Sequence, residues 1–153
     1  MQDADFPLKD EPRATILVVE DDALNVALFK EILTARGHEL IFAKTGGKAL
    51  EVLKDLRPDL ILMDIVVPEI SGLDLIRLVK GDAERRSIPI IAVTSLPARL
   101  YKDQIMEAGC DAYVAKPLSV TTLWATIDHL LAESRASEEA DSNPLARIMG
   151  RAR

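Results

Sequence analysis

Short, unbroken apolar runs recur along the middle of this chain, and segments with helical periodicity separate them. The runs are rich in valine, isoleucine and leucine, which is typical of strands that are buried on both faces of a parallel sheet. They lie at residues 15–19, 40–43, 60–63, 90–93 and 112–115.

Each apolar run precedes a segment whose apolar residues recur every three or four positions, as on one face of a helix. Thr45, Ser71 and Ser119 come just before three of these segments, and such side chains often cap helix N-termini. Gly37 and Gly109 follow two others as stop signals. The apolar positions of the five predicted helices are Leu24, Leu28 and Ile32; Leu50, Leu53 and Leu56; Leu75, Ile76 and Val79; Ile105 and Met106; and Leu123, Ile127, Leu130 and Leu131.

The regular alternation of strand and helix indicates an α/β fold. It predicts a parallel sheet with helices on both faces and right-handed crossovers. For five strands in a chain of this length we expect the doubly wound order 2-1-3-4-5, a flavodoxin-like (βα)5 fold. Ligands of such folds bind at the carboxyl ends of the strands.

Composition and charge divide the chain into a central domain and two polar ends. The 153 residues are enough for one domain. We expect an N-terminal tail over residues 1–14, a domain over 15–133 and a C-terminal tail over 134–153. The net charge of −6 argues against direct DNA binding through charge.

The single cysteine, Cys110, leaves no intramolecular disulfide to form, which fits a reducing compartment. No apolar stretch approaches the ~20 residues of a membrane span. The N-terminus also lacks the apolar region of a secretory signal. We therefore expect a cytoplasmic protein that does not enter the membrane.

A polar residue follows each of four predicted strands directly. Glu20 and Asp21 follow the first strand, Asp64 the third, Thr94 the fourth and Lys116 the fifth. Because the carboxyl ends of parallel strands share one edge of a sheet, we expect these side chains to converge there.

This set of groups suits a phosphoryl group bound beside a metal ion. Clustered carboxylates repel each other, and Mg²⁺ relieves that repulsion because it prefers oxygen ligands. Thr94 and Lys116 can hold an anion next to the metal, and a carboxylate can act as nucleophile. A plainer alternative stays open for the carboxylates, above all for Asp22, because an acid after a strand often caps the next helix.

These motifs, in this order, resemble the receiver domain of two-component response regulators. Among receivers the chain looks most similar to single-domain regulators of the DivK type, and the resemblance spans residues 15–133. The residues that carry it are Val-Val-Glu-Asp-Asp at 18–22, Leu-Met-Asp-Ile-Val-Val-Pro-Glu-Ile-Ser-Gly at 62–72, Val-Thr-Ser at 93–95 and Tyr-Val-Ala-Lys-Pro at 113–117.

The resemblance implies a phosphoacceptor switch rather than an enzyme that acts on other molecules. It implies that Asp64 accepts a phosphoryl group from a phosphohistidine of a sensor histidine kinase or a phosphotransfer protein. It also implies that Asp21 binds Mg²⁺ directly and Glu20 binds it through water. The backbone carbonyl of Val66 is then a further metal ligand.

The resemblance assigns the remaining motif residues to switching. Thr94 and Lys116 would contact the phosphoryl group, and Tyr113 would turn inward as Thr94 moves. The bond between Lys116 and Pro117 would be cis. A downstream protein would bind the surface of helix 4, strand 5 and helix 5, and a homodimer is a further assembly that the resemblance allows.

One enzyme class offers an alternative function. A phosphatase of the haloacid dehalogenase type also uses an aspartyl nucleophile and Mg²⁺, but it needs a second aspartate where Val66 stands. A nucleotide-binding P-loop is disfavoured because Gly46-Gly47-Lys48 lacks the glycine spacing and the hydroxyl residue. Gly46 and Gly47 are instead predicted to form the turn before the second helix.

Overall fold

Five strands and five helices alternate along the part of the chain that the computed structural model describes, residues 13–142. The strands are β1 (Thr15–Val19), β2 (Glu39–Ala43), β3 (Leu60–Asp64), β4 (Ile90–Thr94) and β5 (Ala112–Ala115). The helices are α1 (Ala23–Thr34), α2 (Gly46–Asp55), α3 (Gly72–Gly81), α4 (Ala98–Glu107) and α5 (Val120–Ser142).

The strands form one parallel sheet in the order β2-β1-β3-β4-β5, which confirms the predicted flavodoxin-like fold class. Val19 of β1 lies level with Met63 of β3, and Asp64 lies level with Val93 of β4. This register brings the carboxyl ends of the three central strands together at one edge.

Two hydrophobic clusters cover the two faces of the sheet. Leu17 and Val19 of β1 belong to one cluster, with α2, α3 and α4. Ile16 and Val18 belong to the other, with α1 and α5. Successive residues of a strand point to opposite faces, so continuous apolar runs are what a sheet with helices on both sides requires.

Hydrogen bonds at the helix N-termini explain where several helices begin. Asp22 accepts hydrogen bonds from the amides of Leu24 and Asn25, so it caps α1. Thr45 caps α2 and Ser71 caps α3 in the same way, as predicted. The capping role that the sequence leaves open for Asp22 is therefore the one that the structure shows.

The apolar stripe predicted for α1 is only partly correct. Phe29, Ile32 and Leu33 face the sheet and are buried, whereas the side chains of Leu24 and Leu28 are 82% and 43% exposed. Residues four apart drift by about 40° around a helix, so a stripe of such residues does not follow one face for long. The two leucines stand on the outer side of α1, near its N-terminus.

The last helix is longer than predicted. α5 continues through residues 134–142, which the polar composition assigns to a C-terminal tail. Four of its nine residues are alanine or glutamate, which favour helix even without burial. Residues 143–153 of that predicted tail and residues 1–12 of the N-terminal one lie outside the described range. Between residues 13 and 142, no helix is both long and apolar enough to cross a membrane.

Candidate functional site

Three carboxylates meet where β1 and β3 end. Glu20 and Asp21 directly follow β1, and Asp64 is the last residue of β3. One carboxylate oxygen from each of these three residues lies within 4.8 Å of the other two. Glu20 is 1% exposed, Asp64 is partly buried and Asp21 is exposed. The predicted convergence of these acids is thus what the fold produces.

Lys116, which follows β5, reaches across the sheet edge to this cluster. Its Nζ lies 3.0 Å from Glu20 Oε1 and 3.0 Å from Asp64 Oδ2. Its backbone amide donates to the Thr94 carbonyl over 2.9 Å, which holds the residue beside β4. The bond from Lys116 to Pro117 is cis.

The burial of these charges shifts their pKa values. Burial opposes the charged form of Lys116, but its hydrogen bonds to Glu20 and Asp64, together with their negative charges, outweigh burial, so the pKa of Lys116 is raised. Burial is also the main effect on Glu20, and the nearby charge of Asp64 adds to it. The pKa of Glu20 is therefore raised despite the hydrogen bond from Lys116.

Backbone amides hold two of the carboxylates in place. The Val66 amide donates to Asp64 Oδ1 over 3.0 Å, and the Asp22 amide donates to Glu20 Oε2 over 3.2 Å. Each of these carboxylates therefore has one oxygen on Lys116 and the other on a backbone amide. That arrangement restricts the rotation of both side chains.

The residues present fit a divalent cation. Glu20 is buried, and burial raises its pKa despite the hydrogen bond from Lys116, so a further cation beside it would stabilise its charged form. The oxygen atoms of Glu20, Asp21 and Asp64 are the donor type that Mg²⁺ prefers, and the exposure of Asp21 leaves room for water ligands.

Thr94 and Tyr113 are joined through the backbone of Leu96. The Leu96 amide donates to the buried Thr94 hydroxyl over 3.1 Å, and the Tyr113 hydroxyl donates to the Leu96 carbonyl over 3.1 Å. Lys102 of α4 also lies 5.9 Å from the centre of the Tyr113 ring. The sequence identifies Thr94 and Tyr113 but not the link between them through Leu96, because a contact through backbone atoms leaves no trace in residue type.

Comparisons with known proteins agree with this geometry. A family model described as the response regulator receiver domain matches residues 16–128. The chain is 42% identical over 120 residues to the polar-differentiation response regulator DivK of Brucella anthropi, covering 78% of this chain and 98% of that protein. It is 41% identical over 120 residues to the DivK of Brucella ovis, with the same coverage.

Solved structures show the same fold. The chain is similar to the receiver domain of a signal transduction histidine kinase from Syntrophus aciditrophicus, with 32% identity, a TM-score of 0.74 and coverage of 78% and 91% of the two chains. It is also similar to the receiver domain of a sensor histidine kinase from Pseudomonas aeruginosa, with 27% identity, a TM-score of 0.73 and coverage of 79% and 99%. That second structure has a magnesium ion in its active-site cleft.

Proposed function

Since this chain belongs to the family of response regulator receiver domains, it is a phosphoacceptor signalling switch, and we propose that Asp64 is the residue that receives the phosphoryl group. The observation that carries this proposal is the position of Asp64. Its carboxylate ends the central strand, 3.0 Å from the ammonium of Lys116 and beside two further acids.

The family consists of signalling domains rather than enzymes, and its partners are histidine kinases or phosphotransfer proteins. The alternative of a haloacid dehalogenase-type phosphatase has no support. Val66 stands where that chemistry needs a second acid, and its apolar side chain is 62% exposed.

In the proposed transfer, a carboxylate oxygen of Asp64 forms a bond to phosphorus. The bond between phosphorus and the donor's imidazole nitrogen breaks, and that nitrogen keeps the electron pair. Lys116 is placed to offset the added negative charge, because its ammonium already contacts Asp64. The hydroxyl of Thr94, at the end of the neighbouring strand, is proposed to contact a phosphoryl oxygen.

We propose that Glu20, Asp21 and Asp64, with the backbone carbonyl of Val66, hold Mg²⁺ in the working protein. Glu20 is proposed to act through water, since both of its oxygens already accept hydrogen bonds. Mg²⁺ bound there would offset the negative charge that builds up on the phosphoryl oxygens. The raised pKa of Glu20 supports this proposal, because a nearby cation would stabilise its charged form.

We propose that the switch runs from Thr94 to Tyr113 and changes the surface of α4, β5 and α5. The Thr94 hydroxyl cannot move toward a phosphoryl group without disturbing its bond from the Leu96 amide. Leu96 in turn accepts the hydrogen bond of Tyr113, so the two side chains are coupled. The exposed apolar side chains of Leu100 and Val120 support a protein partner on this surface.

The downstream partner is proposed to be a protein that recognises this altered surface, and self-association is the second assembly to test. Sedimentation with and without beryllofluoride, which mimics the phosphoryl group, separates the two. We further propose that residues 15–133 are the receiver unit, since every residue of the site lies there. The lone cysteine, Cys110, supports a reducing, cytoplasmic location.

A direct test uses acetyl phosphate and Mg²⁺ with intact-mass detection. The wild-type protein is expected to gain one phosphoryl group, and Asp64→Asn to gain none. The matched control is Asp103→Asn, because Asp103 is an exposed acid on α4, away from the cluster. Equal phosphorylation of Asp64→Asn and the control would overturn the proposal.

A further inference from the structure

The loop that follows Asp64 rests directly on the N-terminus of α2. Gly46 and Gly47 are the first two residues of α2, not the turn before it as predicted. The Gly46 amide donates to the carbonyl of Pro68, in the middle of this loop, over 3.1 Å. The helix backbone and the loop backbone are therefore in contact, with no side chain between them.

The loop occupies the space that a side chain at either glycine would need. A Cβ atom on Gly46 would lie 2.4 Å from the backbone oxygen of Ile70. A Cβ atom on Gly47 would lie 2.2 Å from Oε1 of Glu69. Glycine is less favourable than alanine inside a helix, so this pair at the start of α2 needs another cause. The close approach of the loop supplies it.

The loop residue over Gly47 has an unusual backbone. Glu69 has a φ of 74°, in the left-handed region that residues other than glycine rarely occupy. Its carboxylate lies at the start of α2, whose own first turn has no acidic residue. A negative charge is favourable at a helix N-terminus, so this contact helps to hold Glu69 in its strained conformation.

The same loop controls the surroundings of Asp64. At its far end the Gly72 amide donates to the Ile65 carbonyl over 3.0 Å, and a Cβ atom on Gly72 would lie 2.6 Å from the Ile65 Cα. Near its start the Val66 amide donates to Asp64 Oδ1. Val66, whose amide orients the Asp64 carboxylate, therefore lies between two points at which hydrogen bonds hold the loop, at Ile65 and at Pro68.

We propose that Gly46 and Gly47 are positioning residues for the phosphoacceptor: they seat the loop of residues 65–71 on α2 and thereby fix the Val66 backbone against Asp64. This inference rests on the proposed function of Asp64. It assigns the glycine pair a role in the rate of phosphorylation rather than only in the start of a helix.

The first test compares Gly46→Ala with Gly81→Ala. Gly81 ends α3, and a Cβ atom added to it would have no other atom within 4 Å, so it is a matched helical control. The new methyl group at position 46 must move about 1 Å from the Ile70 oxygen to reach ordinary contact, and misplacement on that scale can cost ~10²-fold in rate. We expect phosphorylation by acetyl phosphate to slow by about tenfold to ~10²-fold.

The second readout is structural and needs no metal. Amide chemical shifts of Asp64 and Val66 in the metal-free protein are expected to change in Gly46→Ala and to stay unchanged in Gly81→Ala. Rates and spectra are recorded below the onset of thermal unfolding of each variant. A slower rate in a fully folded protein, with a shifted Val66 amide, is what a purely structural role would not produce.

A double-mutant cycle tests the second glycine. Gly47→Ala is expected to slow phosphorylation in the wild-type background, because its methyl group displaces the Glu69 carboxylate. In a Glu69→Ala background the same substitution is expected to have no effect, because the clashing carboxylate is gone. This cycle decides the matter on its own if Gly46→Ala does not fold.

The outcomes separate this inference from the proposed function. If the wild type and Gly81→Ala gain a phosphoryl group and Asp64→Asn gains none, the proposed function of Asp64 stands. Folded Gly46→Ala with a wild-type rate, or a Gly47→Ala effect that is equal in both backgrounds, would then overturn the positioning role alone. Phosphorylation of Asp64→Asn at the wild-type rate would instead overturn the function on which the inference rests.

Discussion

Replacing Lys116 with methionine is expected to destabilise the metal-free protein in a strongly pH-dependent way. The substitution keeps most of the apolar stem but removes the ammonium that lies 3.0 Å from both Glu20 and Asp64. Two carboxylates, of which Glu20 is 1% exposed, are then left to face each other without a cation.

The charges at this site give the size of the effect. With an effective dielectric constant of ~20, each contact of the ammonium at 3.0 Å is worth about 5–6 kcal/mol, and two carboxylates at the 4.8 Å upper limit of their separation repel by about 3–4 kcal/mol. Desolvation offsets much of the attraction, and removing one partner of a buried ion pair costs about 3–5 kcal/mol.

The free energy of protonating Glu20 sets an upper limit on the unfolding free energy that Lys116→Met loses. The ordinary pKa of Glu20 is 4.5, so holding it protonated at pH 7 costs about 3.4 kcal/mol, and at pH 5 about 0.7 kcal/mol. We therefore expect Lys116→Met to lose about 3 kcal/mol of unfolding free energy at pH 7 and under about 1 kcal/mol at pH 5.

The sign follows from linkage. The pKa of Glu20 is raised in the folded protein, so between its unfolded and folded values the folded state binds more protons. Stability consequently falls as pH rises through that window. The raised pKa of Lys116 acts only above its ordinary value of 10.5, so it adds no slope between pH 5 and 7.

Urea unfolding in a metal chelator, at pH 5 and pH 7, measures both values. The control is Lys48→Met, because the Lys48–Glu51 pair lies at 3.8 Å with both side chains about two-thirds exposed. Such exposed pairs contribute at most about 1 kcal/mol, so the control should change little at either pH. Equal losses for Lys116→Met at the two pH values would refute the reasoning.

Three further predictions concern the metal, the switch and the lifetime of the phosphoryl group. Millimolar Mg²⁺ should raise the melting temperature of the wild type but not of Asp21→Ala, which should stay folded and unphosphorylated; an equal rise in both would argue against the metal site. Beryllofluoride should shift backbone NMR signals mainly in residues 94–120, and Thr94→Ala should abolish the shifts around Tyr113; an unchanged pattern would leave no switch. Val66→Asn with Leu96→Glu should speed phosphoryl loss by about tenfold or more, because positioned polar groups that assist proton transfer contribute ~10²–10⁴-fold; an unchanged decay would show that the apolar side chains of Val66 and Leu96 do not set the lifetime.

Most of the acidic site could be predicted because it depends on strand ends. In a parallel sheet, a residue that follows a strand has a known place. This rule alone predicts that Glu20, Asp64 and Lys116 lie close together, although they are far apart in the sequence. Their contacts at 3.0 Å follow from the strand order and from the reach of the Lys116 side chain. The types of the residues after the strands and the order of the strands therefore indicate the same edge of the sheet.

Other features depend on packing that residue type does not reveal. The Leu96 bridge uses only backbone atoms. The seat of the loop on Gly46 depends on how α2 and the β3–α3 connection pack, and helix start signals pointed to a turn instead. The outer position of Leu24 likewise depends on the rotation of α1 against the sheet, which periodicity alone leaves undetermined.

The central claim, that Asp64 carries the phosphoryl group, is tested most directly by identifying the modified residue. The protein is phosphorylated with acetyl phosphate and Mg²⁺, reduced with borohydride to convert the aspartyl phosphate to homoserine, and digested for peptide mass spectrometry. The account predicts homoserine at position 64 and unchanged Glu20 and Asp21. Homoserine at another aspartate, with position 64 intact, would contradict it.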